Sequence, residues 1–470
     1  MANLYISAAH KSSGKTMVTL GLCRALKNRG LKVQAYKKGP DYIDPIWHAQ
    51  ASGRPSYNLD FRFMTHAEIH GLYDRHAATA DIVIVEGNKG LYDGMDIEGS
   101  DSNAALAKEL ALPVVLVIDA IGITRGVAPL LLGYRAFDPE VKIAGVILNK
   151  VGGPRHEGKL RQVIERYTDI PVLGAIHRDA RLAIEERHLG LVPGNEDTAA
   201  EQRIQAIAEV VASQVDLDAL LALTNAAPIP RGVQPSPFDP GFRLRENSQG
   251  PIRIAIAQDR AFGFYYSEDL DTLRESGVEL IPLDTLKTSA LPDVAGLILG
   301  GGFPESFISE LSANHSLRQD IRQAVEANLP VYAECGGLMY LSRSILWNGQ
   351  RGEMVGLIPG DAVMGARPVG RGYASFLETA DSPLVTRPGQ EIPAHEFHHS
   401  HLENLADGLI YGYRITRGHG IDGRNDGFVH KNLLAAYCHR RGSGDQGWIA
   451  PFLAKARAYA QDCNAARIAA

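Results

Sequence analysis

The run Leu4-Tyr-Ile-Ser-Ala8, continued by Ala9-His10-Lys11-Ser12-Ser13-Gly14-Lys15-Thr16, decides the fold. Its first five residues lack polar alternation and read as a strand buried on both faces. A helical pattern from Thr16 to Asn28 follows at once. A loop ending Gly-Lys-Thr between strand and helix is a phosphate cradle. Backbone N–H groups of Ser12, Ser13, Gly14 and Lys15 meet phosphate oxygens, Lys15 adds positive charge, and Thr16 offers a hydroxyl to Mg²⁺. Ala9 stands where the usual pattern has its first glycine, while Gly14-Lys15-Thr16 is intact.

Outward from this loop the first half alternates apolar strands and helical patterns. Lys32–Tyr36, Ile82–Glu86, Val114–Asp119 and Ile143–Leu148 read as strands. Thr16–Asn28, Asn103–Leu110, Gly126–Phe137 and one long segment from about Asp197 to Thr224 read as helices. A further short strand is expected at Pro171–Gly174. This is the pattern of a doubly wound parallel sheet. Residues 226–250, rich in proline and poor in apolar residues, read as a linker. Strands restart at Ile252–Ala257, so the expected architecture is two α/β, mainly parallel-sheet domains, 1–225 and 251–460. The 470-residue length and 45% hydrophobic content suit two full cores.

A formal charge of −6 argues against a nucleic-acid or anionic-membrane partner. Four irregularly spaced cysteines (Cys23, Cys335, Cys438, Cys463) form neither a disulfide framework nor a zinc pattern. No apolar run is long enough to span a bilayer, and the N-terminus enters a strand directly; a cytoplasmic location is the expectation. No oligomeric state follows from the sequence, and a homodimer is carried as the expectation.

Two carboxylate-bearing segments belong with the phosphate loop. Glu86 closes an apolar strand, the place for a carboxylate that serves Mg²⁺. Gly39-Pro-Asp-Tyr-Ile-Asp-Pro45 sets Asp41, Tyr42 and Asp44 on a loop after the second strand; alone, such a loop reads equally well as a solvated turn.

A second chemistry sits at Ala333-Glu334-Cys335-Gly336-Gly337, a sharp turn from strand to helix. A cysteine there projects into a cleft at the positive end of a helix. Gly300-Gly301-Gly302 ends the strand Gly296–Leu299, so Gly301 and Gly336 are candidate oxyanion donors. The base is open among His395, His398, His399, His401, His430 and His439. The cluster His395-Glu-Phe-His-His-Ser-His401 matches no metal-ligand spacing, and no metal is expected there; as a strand it puts His399 and His401 on one face and His398 on the other.

Over nearly its whole length the chain resembles the cobyrinic acid a,c-diamide synthase family. The motifs that carry this are Ser12–Thr16, Gly39–Pro45, Val85-Glu-Gly-Asn-Lys-Gly-Leu-Tyr-Asp-Gly94, Leu299-Gly-Gly-Gly-Phe-Pro-Glu305, Tyr332-Ala-Glu-Cys-Gly-Gly-Leu-Met-Tyr-Leu341 and His395-Glu-Phe-His398. The resemblance implies a P-loop NTPase-like domain of the dethiobiotin-synthetase kind, followed by a class I glutamine amidotransferase-like domain. It implies an ATP- and glutamine-dependent ligase that amidates the a and c acetate carboxylates of a tetrapyrrole through an acyl phosphate. It assigns Cys335 as nucleophile and His439 as its base. Ser12, Ser13, Gly14, Lys15, Thr16, Lys37 and Asn149 go to the nucleotide; Thr16, Glu86 and Asp41 to Mg²⁺; and Asp41, Tyr42, Asp44 and Asp93 to substrate activation. The family's cysteine–histidine pair usually lacks an acidic partner. Here Arg440 and Arg441 follow His439, so no carboxylate is expected on it.

Ala436-Tyr-Cys-His-Arg-Arg-Gly departs from the family's commoner Ser-Tyr-Val-His-Leu-His-Phe. On that ground sirohydrochlorin, its nickel complex and sirohaem stand as alternative substrates, and the arginines as electrostatic modifiers of the thiol site. A rival of another class is a P-loop ATPase switch whose second domain is an inactive amidotransferase used for docking. The intact Cys335, His439 and glycine triplet argue against it.

Overall fold

A computed structural model describes residues 2–182, 184, 186–187, 190–197, 199–225 and 251–469. Contacts divide the chain into two units, 1–238 and 239–470. The expected linker, 226–250, lies outside the described residues.

The first unit is a seven-stranded parallel sheet: β1 Ala2–Ala8, β2 Val33–Lys38, β3 Tyr57–Leu59, β4 Ile82–Glu86, β5 Val114–Asp119, β6 Ile143–Val151 and β7 Val172–His177. Their order is β3-β2-β4-β1-β5-β6-β7. Successive residues of β1 feed two cores. Leu4 and Ile6 pack with Leu20, Leu22 and Ile207, while Tyr5 joins Val83, Val85 and Leu116 on the other face. The lack of polar alternation follows, because both faces are covered by helices. Chain order turns at β1, whose carboxyl end is therefore the crevice of the sheet.

The segment expected as one helix from Asp197 to Thr224 is two, Ala200–Gln214 and Leu217–Asn225. Between them Val215 bridges to Gly174, and the Asp216 N–H donates to Leu173 O at 2.8 Å. Asp216 then accepts the N–H groups of Asp218 and Ala219, restarting a helix as a cap does. The strand expected at Pro171–Gly174 runs instead over Val172–His177.

The second unit holds a nine-stranded sheet. Its order is Val278–Leu283, Ile252–Ala257, Gly296–Leu299, Val331–Glu334, Leu433–Ala436, Asn425–His430, Ile410–Arg417, Gly370–Glu378 and Glu391–His398. The first five strands are parallel and the remainder antiparallel. A separate four-stranded sheet contains Ser400–Glu403. The histidine cluster is thus not one strand: His398 ends the large sheet, His401 lies in the small one, and His399 occupies the corner. The final helix, Ile449–Ala469, runs past 460. No helix among the described residues is long and apolar enough to cross a membrane.

Candidate active site

In the first unit the loop after β1 is held in shape from beneath. Ser12 and Gly14 take left-handed backbone conformations, with φ of 65° and 92°. The Asn149 side chain donates to Ser13 O at 2.9 Å, and Lys150 Nζ to Ser12 O at 2.9 Å. A Cβ on Gly14 would lie 2.1 Å from the Asn149 amide, so only glycine lets the loop close over β6. The helix Lys15–Asn28 starts there, and its first N–H groups have no acceptor within the helix.

At the ends of β2 and β4 the charged side chains converge. Thr16 Oγ1 donates to Glu86 Oε1 at 2.8 Å and to Asp44 Oδ2 at 3.3 Å. Lys37 Nζ donates to the same two carboxylates, to Glu86 at 2.9 Å. Behind them His48 Nε2 lies 2.6 Å from Glu86 Oε2, both side chains being fully buried. Burial works against the charge on Lys37, but Asp44 and Glu86 outweigh it and hold the ammonium above its ordinary range. Burial likewise disfavours charge on Glu86, and Lys37 and His48 outweigh it, keeping the carboxylate below its usual range. Lys15 is pushed down to about 8, by burial and then by Lys37.

Of the two aspartates on the loop after β2, Asp44 reaches Thr16; Asp41 stands a step back and accepts the Asp44 N–H at 3.0 Å. Burial, and then Asp44, push Asp41 up to about 6. Tyr42 is buried at the start of the helix Ile43–Ser52. Asp93 accepts the Gly90 N–H at 3.0 Å on the loop after β4. His48 was not among the residues expected from sequence. Its signal was its place one helical turn after Asp44, on the same face.

In the second unit Cys335 sits at the elbow with φ 48° and ψ −100°, a strained pose for a residue with a Cβ. A Cβ on Gly337 would lie 2.1 Å from Leu299 O, so the helix Gly336–Leu341 can pack on the Gly296–Leu299 strand only with glycine there. Gly301 and Gly302 lie alongside: a Cβ on Gly336 would meet Gly302 N at 3.0 Å, and one on Gly301 would meet His439 Cε1 at 2.9 Å. His439 is fixed by two backbone bonds to His395, of 2.9 and 2.8 Å, and the two rings stack with centroids 4.8 Å apart.

The expectation that no carboxylate attends His439 is overturned. Glu334, the residue before Cys335, places Oε2 3.0 Å from His439 Nδ1. Burial lowers the imidazole's proton affinity, but hydrogen bonds to Cys335 and Glu334 outweigh this and raise His439 to about 10. The arginines are neutralised in place. Fully buried Arg440 donates to Glu378 Oε1 at 2.8 Å and to Tyr413 OH at 3.3 Å, and Arg441 pairs with Glu268 at 3.1 Å. Neither is free to recruit an anion. Glu396, Asp426 and Cys438 also converge, but as a clasp. Asp426 accepts the N–H groups of Tyr437 and Cys438, Glu396 those of His419 and Gly420, and the Cys438 thiol donates to Glu396 at 3.3 Å. The clasp anchors the segment that delivers His439.

Two side-chain constellations, a glycine–lysine–threonine loop with a carboxylate–lysine cluster and a thiol with an oriented imidazole, thus occupy the two units. Residues 6–192 match the CobQ/CobB/MinD/ParA nucleotide binding domain, and residues 253–445 the CobB/CobQ-like glutamine amidotransferase domain. The chain is 46% identical, over 96% of both proteins, to a cobyrinate a,c-diamide synthase of Magnetococcus marinus. It belongs to the cobyrinate a,c-diamide synthase family. Members named likewise from Methanosarcina acetivorans (41% identical; 93% of this chain and 92% of that one) and Archaeoglobus fulgidus (39%; 96% of each) also match over most of their length. As a member of this family the protein is a glutamine-dependent amide ligase with a nucleotide-binding domain.

Proposed function

We propose that the protein amidates the a and c acetate carboxylates of a cobyrinic-acid-type tetrapyrrole, using ATP and glutamine. In the second unit Cys335 Sγ attacks the glutamine carboxamide carbon, and the tetrahedral oxyanion faces backbone N–H groups at Gly301 and Gly336. His439 returns a proton to the departing nitrogen, which leaves as ammonia. Water then cleaves the thioester to glutamate. In the first unit a substrate carboxylate oxygen attacks the γ-phosphorus of ATP, and ADP leaves. Ammonia attacks the acyl-phosphate carbon, phosphate departs, and the surplus ammonium proton passes to a carboxylate of the Asp41–Asp44 loop. A carboxylate resists ammonia because oxide is a poor leaving group; phosphate removes that obstacle.

The hard oxygen donors of Thr16, Glu86 and Asp44 suit Mg²⁺, which would neutralise charge on the triphosphate when bound. Asp41 completes the polar rim of that group. Lys15 and Lys37 bind and orient phosphate oxygens.

The observation that carries this reading is the co-occurrence of both constellations in a chain aligned end to end with cobyrinate a,c-diamide synthases. The test is mass spectrometry of reactions containing ATP, Mg²⁺, glutamine and cobyrinic acid, with sirohydrochlorin, its nickel complex and sirohaem run in parallel. Each exchange of hydroxyl for amine is a countable mass step, and two steps on cobyrinic acid are expected. Heavy oxygen placed in the substrate carboxylate should appear in the released phosphate. Modification of a sirohydrochlorin-type macrocycle alone would move the substrate assignment. An absence of glutaminase activity would favour the docking-domain rival.

A further inference from the structure

Two side chains at the thiol site, Glu334 and Tyr332, have no part in the proposed reaction. The strand Val331–Glu334 ends at the elbow, and in a regular strand Glu334 and Cys335 would point to opposite faces. The left-handed backbone at Cys335 cancels that alternation. Both side chains then reach one imidazole: Glu334 Oε2 lies on Nδ1, leaving Nε2 for the bond to Cys335. The second carboxylate oxygen is also occupied. Glu334 Oε1 accepts the Tyr332 hydroxyl at 2.5 Å and the Arg440 backbone N–H at 3.2 Å. Tyr332 is itself clamped, its ring stacked on Trp448 at 3.9 Å between centroids. The other acids nearby are engaged elsewhere, Glu378 with Arg440 and Glu268 with Arg441.

We infer that Glu334 is the third member of the thiol site, a positioning carboxylate that keeps His439 with Nδ1–H donated and Nε2 turned to Cys335, and that Tyr332 holds Glu334 in that pose. A class I amidotransferase site built this way takes its acid from the residue before the nucleophile rather than from the histidine's own segment. The turn that strains Cys335 is then also the device that completes the triad. An imidazole fixed in this tautomer takes the thiol proton and returns it to the leaving nitrogen without reorienting. The groups that face His439 include Cys335, Glu334, the stacked His395 with Tyr266 behind it, and Gly301, and His398 lies within electrostatic reach.

The inference rests on the glutaminase half of the proposed function, so its test needs no tetrapyrrole. Glutamine hydrolysis by full-length Glu334→Gln should fall on the order of 10²-fold or more in kcat, with KM for glutamine little changed. The pH profile of Cys335 alkylation by iodoacetamide should move to higher pH, because the imidazolium that balances the thiolate has lost its partner. Glu334→Asp should recover part of the loss, and Tyr332→Phe should give a smaller loss, about tenfold. A glutaminase rate within about twofold of wild type, with an unmoved alkylation profile, overturns the assignment. Should the glutamine variant not fold, the aspartate variant decides by the same two readouts: a wild-type rate and profile in both it and Tyr332→Phe overturns the assignment. Ammonia-supported amidation separates the two readings. Its absence in the wild type sinks the substrate proposal and leaves the Glu334 result standing.

Discussion

The two sites solve the same problem with the roles exchanged. In the second unit a carboxylate, Glu334, holds an imidazole, His439, 3.0 Å away. In the first an imidazole, His48, lies 2.6 Å from a carboxylate, Glu86. The difference follows from what each site has to present. Under the proposed function the thiol site would present a base to sulfur, with the negative group behind it. The nucleotide site would present a negative group to a cation and a triphosphate, with the imidazole behind the carboxylate. In both, the partner is buried, where a misplaced charge is costly and an oriented one is effective.

The largest expected effects come from disabling the sites one at a time. Cys335→Ala should lower glutamine-driven amidation by at least about 10³-fold while amidation supplied with free ammonia survives. Lys15→Ala should lower amidation from either nitrogen source on the order of 10²-fold and leave glutamine hydrolysis intact. Initial rates of glutamate and of amide formation, measured separately, decide it. If Lys15→Ala lowers glutamine hydrolysis as far as amidation, the sites are not chemically separable and the comparison fails.

A smaller effect tests the exchanged roles directly. His48→Asn removes the support behind Glu86 without touching Thr16 or Lys37. Supports of this kind are worth about 10- to 100-fold in metal affinity. Mn²⁺ binding in the presence of a non-hydrolysable ATP analogue, followed by electron paramagnetic resonance, should weaken within that range, and glutaminase activity should not change. Unaltered Mn²⁺ affinity would leave His48 as a packing residue only.

What was legible in the sequence were features written in neighbouring residues. The strands Ile82–Glu86, Val114–Asp119, Ile252–Ala257 and Gly296–Leu299 have the expected ends, because buried parallel strands are unbroken apolar runs. The division at Val215 was hidden because Gln214-Val215-Asp216 is compatible with a helix; a bridge to Gly174 on a distant strand breaks it there. Glu334 was hidden for a different reason. Strand alternation predicts that it turns away from the Cys335 side, and only the φ of 48° at Cys335 reverses this. The arginines at 440 and 441 misled in the opposite direction. Their charge suggested an open electrostatic role, while Glu378 and Glu268, remote in sequence, absorb it.

A modest effect on stability is also expected, with the two sites weakening at opposite ends of the pH scale. His439 has a folded-state value raised from 6.5 to about 10. Its contribution is therefore complete below about 6.5, declines as pH rises, and is gone once pH passes about 10. Glu86 is held below its ordinary 4.5. Its contribution is complete above that value and is lost as pH falls through the depressed one. Thermal unfolding of the full chain, compared with His439→Gln and Glu86→Gln, reads this out as differences between variants. The stability gap to His439→Gln should close towards alkaline pH and stay constant on the acid side. The gap to Glu86→Gln should close towards acid pH and stay constant at neutral and mildly alkaline pH. Gaps that close at the same end would mean that the charges behind the two sites are set by something other than the partners 3.0 and 2.6 Å away.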